Sequence, residues 1–92
     1  MSFRKATTKE IILDWLGEKV LHNQKIVKSH QFETELVSYG KTYWGATKLP
    51  SAYSRAWRQI RAEKGYIDVG IDQVKNLKTK SNEGVWELIT NT

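Results

Sequence analysis

The sequence predicts a single α+β domain built from three helices followed by a β-hairpin. Three observations lead there. Apolar residues recur at helical spacing over three stretches, Gly and Pro punctuate those stretches, and the apolar period shortens to two in the last third of the chain. A chain of 92 residues has room for one core and little volume for an enclosed catalytic pocket. With 39% hydrophobic and 27% charged residues it has the composition of a folded domain. Four Trp, four Tyr and two Phe supply much of the buried area, since each aromatic side chain buries a large surface.

The first helix is predicted over Thr7 to His22. Ile12, Trp15, Leu16 and Val20 share one face, and Thr7 with Glu10 has the spacing of a capping box. Lys25 to Lys28 places Ile26 and Val27 between polar residues, which fits either a short edge strand or a linker. Ser29 is the expected N-cap of a second helix, His30 to Tyr39, which would bury Phe32, Leu36 and Tyr39 and end at Gly40.

A polar, aromatic connection from Lys41 to Lys48 then leads to Leu49-Pro50-Ser51, with Pro suited to the first turn of a third helix. This helix is expected from Pro50 to Lys64, with Gly65 as its stop. At about 100° per residue, Tyr53, Trp57, Ile60 and the stem of Lys64 fall on one face. Ser51, Arg55 and Arg58 fall opposite, with Ser54 and Arg61 along one edge.

From Tyr66 to Ile71 apolar and polar or small residues alternate, as in a half-buried strand. Val74 and Leu77 are out of phase with that alternation, so a bulge, a turn or a second short element is expected there. Residues 78–84 read as a hairpin loop and Val85 to Ile89 as the returning strand, giving a hairpin over about 66–89.

The net charge is +5, and its distribution is uneven. Residues 41–64 carry Lys41, Lys48, Arg55, Arg58, Arg61 and Lys64 against Glu63 alone. A merely solvated surface more often intersperses the signs, so this concentration points to a polyanionic partner. Arg carries paired planar donors that match guanine edges and phosphate oxygens, and several on one helix face can neutralise successive phosphates. Ser51 and Ser54 lie near the free backbone donors of the helix N-terminus, which favour phosphate.

The run from Ser51 to Ile67, with its basic helix, its Gly65 and the strand-like residues after it, resembles the recognition helix and first wing strand of the winged helix-turn-helix family. Gly84-Val85-Trp86-Glu87-Leu88 is similar to the strand that brings the wing back to the core, and the resemblance spans residues 7–89. The Gly40 to Leu49 connection is longer than in the simplest members. The resemblance implies a helix laid in a DNA major groove and a wing touching the backbone. On this reading Lys48, Ser51, Ser54, Arg55, Arg58, Arg61, Lys78 and Lys80 are the nucleic-acid contacts, and the protein is a small transcriptional regulator or accessory DNA-binding factor. The alternatives are a protein-interaction module docking an acidic partner, and an RNA or single-strand binder; a homodimer is compatible with each.

Other residue patterns are weaker. The chain has no Cys, which excludes disulfides and thiolate chemistry. His22 and His30 lack the spacing of a metal pair, so no metal or cofactor is expected. Asp68, Asp72 and Lys75 come nearest to a nuclease cluster but match no two-metal arrangement, and no phosphate-loop or nucleophile motif occurs, so the protein is not expected to be an enzyme. No stretch reaches the roughly 20 apolar residues of a membrane span, and Met1 to Lys9 lacks a signal peptide's apolar centre, so a cytoplasmic location is expected. Trp57 and Trp86 read as core. Tyr43 and Trp44 read either as a cap on the core, the favoured reading, or as exposed rings for base stacking or a partner.

Overall fold

The computed structural model describes residues 6–77 and 83–90. Helix α1 (Thr8–Leu21) begins where the Thr7 hydroxyl accepts the Glu10 amide at 3.1 Å. That hydroxyl donates in turn to the Glu10 carboxylate at 3.3 Å, so the capping residues act as expected, with a side-chain bond in the reciprocal position. Residues 26–28 form an edge strand, β1 (Ile26–Lys28). It pairs antiparallel with β3 (Val85–Thr90), Val27 facing Trp86.

The expected second helix is two helices, α2 (Ser29–Glu33) and α3 (Glu35–Trp44). Thr34 separates them with φ −120° and ψ −72°, its hydroxyl donating to the His30 carbonyl at 3.0 Å. A short polar side chain that bonds the preceding turn offers the backbone an alternative to the helix ladder. Ser29 is not the N-cap. Lys28 takes that place, with its amide bonded to the Gln31 side-chain oxygen at 2.8 Å, because Ser29 is drawn to the sheet. Its amide donates to the Gly84 carbonyl at 2.8 Å and its hydroxyl accepts the Gly84 amide at 3.1 Å.

Gly40 does not end the helix either. It is buried inside α3, where a Cβ would collide with the Tyr53 hydroxyl. The stop is Gly45, whose φ of 61° suits the left-handed cap. Half of the expected polar connection is therefore helical.

Helix α4 (Pro50–Glu63) carries Pro in its first turn, as the sequence suggests. The left-handed cap is Lys64, with φ 57°, and not Gly65, so its side chain is exposed and its stem leaves the inward face. Gly65–Val69 form a 3₁₀ turn where a strand was expected. The alternation misled because Tyr66 and Val69, three residues apart, share one side of a 3₁₀ turn and face inward, while Ile67 is 54% exposed. The strand β2 (Ile71–Asn76) starts later and pairs antiparallel with β3. The register shifts between Ile71 and Gln73, so Asp72 is an inserted residue that accounts for the phase slip towards Val74.

The sheet has the order β1-β3-β2. Its inner face meets the helices around Phe32 of α2, which stacks on Trp57 at 5.3 Å and meets Trp15 edge-on at 5.4 Å and Trp86 at 6.3 Å. Offset and edge-to-face pairs at these separations are the favoured aromatic geometries. Leu16, Leu36, Tyr53, Ile60 and Leu88 complete the core at 0% exposure. Trp15, Leu16, Phe32, Leu36, Tyr53, Trp57, Ile60, Trp86 and Leu88 are buried together in one core, while Val20 and Tyr39, which helical spacing also turns inward, are only half-buried against it. Among the described residues, no helix is long and apolar enough to cross a membrane.

Candidate nucleic-acid interface

The interface starts from α4, whose inner face fixes the direction of its outer one. Tyr53, Ala56, Trp57 and Ile60 are buried, while Ser51, Ser54, Arg55 and Arg58 are exposed. The two faces separate as the 3.6-residue period requires. Trp57 is buried and Arg58 exposed, so the helix has the orientation expected from the sequence.

At the N-terminal end of α4, a depression of about 620 Å³ is lined by Leu49, Pro50, Ser51, Ser54, Arg55 and Arg58, with Glu33 of α2 as its acidic member. Among the described residues no side chain caps this helix; Pro50 has no N–H and the Ala52 amide donates to the Leu49 carbonyl at 3.0 Å, which leaves the Ser51 amide for an acceptor. The positive end of the helix dipole and two guanidinium groups thus border one hollow. Sequence reasoning missed Glu33, which reaches the hollow only because α2 packs against α4. It also missed Leu49, an apolar side chain left 70% exposed.

Arg61 departs from its expected place along the solvent edge. Its guanidinium lies over the rings of Trp86, at 4.8 Å, and Trp57, at 5.5 Å, and it is half-buried. Burial, and then the neighbouring charge of Arg58, lower its pKa from the ordinary arginine value. Its Nε is buried without a hydrogen-bond partner among the described residues. The aromatic pair holds the cation by its electron-rich faces, a role that depends on β3 arriving beside α4. Lys48 is half-buried at the approach to α4.

The hairpin is rooted against α2. The two Ser29–Gly84 bonds join the start of α2 to the residue before β3, His30 Nδ1 contacts the Glu83 carboxylate, and the Leu77 amide donates to the Val85 carbonyl at 2.8 Å. The contact with His30 holds the Glu83 carboxyl below the usual carboxylate range. Lys78 and Lys80 lie outside the described residues. The structure brings together Ser51, Ser54, Arg55 and Arg58, and sets Arg61 apart from them against the core.

The favoured reading of Tyr43 and Trp44 divides. Trp44 packs against the core and donates its indole N–H to Asp14 at 3.0 Å, whereas Tyr43 is 68% exposed. One residue of helical twist separates an inward ring from an outward one.

No known protein family, curated protein or solved structure matches this chain.

Proposed function

We propose that the protein binds double-stranded DNA as a winged helix-turn-helix module, α4 entering the major groove and the β2–β3 hairpin acting as the wing. The observation that carries this reading is the segregation along α4, with Ser51, Arg55 and Arg58 exposed opposite fully packed Tyr53, Trp57 and Ile60. The element order, the β1-β3-β2 sheet and the hairpin rooted beside α2 support it. Arg55 and Arg58 read guanine edges or clamp phosphates, Ser51 and Ser54 bond phosphate near the helix start, and Lys78 and Lys80 supply backbone contacts from the wing. Lys48 adds charge at the approach, and Arg61 contributes its field from over the tryptophans. The protein acts by occupancy, as a small transcriptional regulator or accessory factor, and not by catalysis.

The test is binding to duplex DNA, single strands and RNA at two salt concentrations, with Arg55→Ala/Arg58→Ala beside the wild type. Loss of a guanine contact costs about 1–3 kcal/mol on the preferred site and less elsewhere, while loss of a phosphate contact weakens every duplex alike. Lys78→Ala/Lys80→Ala should flatten the salt dependence by about two phosphate contacts. A folded Arg55→Ala/Arg58→Ala protein that binds duplex DNA with wild-type affinity and salt slope refutes the reading.

A second reading is docking of an acidic protein partner on the same face. It is favoured by Leu49, 70% exposed where it lines the hollow with Arg55 and Arg58, because an apolar anchor beside charged groups is typical of protein interfaces. Under it, Leu49→Ser abolishes partner capture and duplex DNA is bound no better than other polyanions.

A further inference from the structure

We infer that the hollow between α1 and α3 is a receptor for a guanidinium group, presented as an arginine side chain by a protein partner. The hollow has a volume of about 420 Å³. Trp15, Tyr39, Tyr43 and Trp44 wall it, and its carboxylates are Asp14 and Glu18, one helical turn apart on α1, with Glu35 of α3.

The charge of the hollow is not balanced from within. Three carboxylates, Asp14, Glu18 and Glu35, face one ammonium, that of Lys19, and the imidazole of His22. Lys19 is 8% exposed, bonds Glu35 at 2.5 Å and Gln24 at 3.3 Å, and lies 5.0 Å from the centre of the Trp15 ring. One buried cation is thus already held there by an aromatic face and a carboxylate. Asp14 and Glu18 have no Lys or Arg partner among the described residues. Asp14 Oδ2 accepts the Tyr39 hydroxyl at 2.7 Å and the Trp44 indole N–H at 3.0 Å, which leaves Oδ1 without a donor among the described residues. Glu18 is 3.5 Å from the His22 ring, and that contact is an ion pair only when the ring is protonated. Burial comes first in raising the Tyr39 phenol above the ordinary tyrosine value, whatever the local field; the hydrogen bond and charge of Asp14 and the charge of Glu18 add to it, and only these reflect negative charge at the hollow.

A guanidinium fits this chemistry better than a second ammonium. It is planar, stacks on aromatic faces and carries five donors for separated carboxylate oxygens. Tyr39 and Tyr43 form a ring pair with centres 4.7 Å apart, and Tyr43 is 68% exposed, which carries the aromatic surface out of the hollow. A side chain borne on a polypeptide meets that outer ring with its own backbone, and a free small cation does not. The net charge of +5 makes this local negative site the complement of a basic segment that the rest of the surface repels.

The test follows the Trp44 indole N–H resonance of the ¹⁵N-labelled chain during titration with blocked arginine, its neutral isostere blocked citrulline, and spermidine. Blocked arginine should shift the resonance saturably with a dissociation constant on the order of 1 mM, the scale open to one side chain. Blocked citrulline should leave it in place. Tyr43→Ala, at an exposed position, should weaken the arginine response by about 2- to 5-fold. Asp14→Asn, which keeps an acceptor for Tyr39 and Trp44, should weaken it about 10-fold. An equal response to citrulline, no saturable shift by about 10 mM arginine, wild-type binding by Tyr43→Ala, or tighter binding of spermidine than of arginine each overturns the proposal.

Discussion

Replacing Gly40 by Ala should destabilise the protein, and replacing Tyr53 by Phe in the same chain should rescue it. Inside a helix, Ala is favoured over Gly by about 1 kcal/mol. At this position a Cβ would collide with the Tyr53 hydroxyl, and overpacking of a close-packed site costs about 1–3 kcal/mol, so the net effect is a loss of up to about 2 kcal/mol. That hydroxyl is itself buried without a partner among the described residues, and removing a buried unsatisfied group recovers about 1 kcal/mol. With the oxygen gone, the new methyl meets Tyr53 Cζ at 3.4 Å and Ile11 Cγ2 at 3.6 Å, which is ordinary contact. The double variant should therefore be at least as stable as the wild type, with a favourable coupling of about 1–3 kcal/mol. Urea unfolding of the four proteins measures the cycle, and each kcal/mol corresponds to a Tm shift of about 4–8 °C in a domain of this size. Were Gly40 a left-handed helix cap, as the sequence suggested, Gly40→Ala would cost stability whichever residue stood at position 53. Absence of rescue by Tyr53→Phe thus refutes the close approach of α3 and α4.

Trp57→Ala should cost roughly 3–5 kcal/mol, because the ring is 2% exposed and touches both Phe32 and Trp86, and circular dichroism should register a large loss of folded protein. Arg61→Ala should cost about 1–2 kcal/mol in urea, since it removes a cation from two rings as well as its packed stem, whereas Arg55→Ala at a solvated site should stay within about 0.5 kcal/mol; equal effects would contradict the placement of Arg61. The hydrogen bond from Lys9, at 2.7 Å, and then that from Gln59 hold the Glu63 carboxyl below its ordinary value of 4.5. A carboxyl lowered in the folded state contributes stability above its unfolded pKa and loses it as pH falls through the folded one, so Glu63→Gln should flatten the decline of Tm below about pH 4.5; an unchanged decline would show that the pair contributes nothing to acid sensitivity.

The sequence by itself determined the centre of the core, though its periodicity also turned Ile67 and the stem of Lys64 inward, and both are exposed. Periodicity sorts apolar from polar positions without reference to partners, and it assigned Trp15, Leu16, Phe32, Leu36, Tyr53, Trp57, Ile60, Trp86 and Leu88 to one core. It also determined the outward set of Ser51, Arg55 and Arg58, because a helix with one aromatic face has only one other face to offer.

The boundaries were decided by tertiary structure. Gly40 and Gly65 read as stops in one dimension, yet Gly40 is needed for a close approach across the core, and Lys64 takes the left-handed cap so that Gly65 can open a 3₁₀ turn towards the sheet. Ser29 reads as a helix cap, but Gly84 lies 55 residues away in sequence and claims both of its polar groups. Arg61 reads as solvated because the strand that covers it comes from the far end of the chain. The acidic and aromatic hollow was also invisible, since Asp14 and Glu18 look like an ordinary solvated pair until α3 brings Tyr39, Tyr43 and Trp44 beside them. Local propensities act within a turn or two of chain, whereas caps, cation–aromatic contacts and cavities depend on which distant groups arrive, and only the packed fold specifies that.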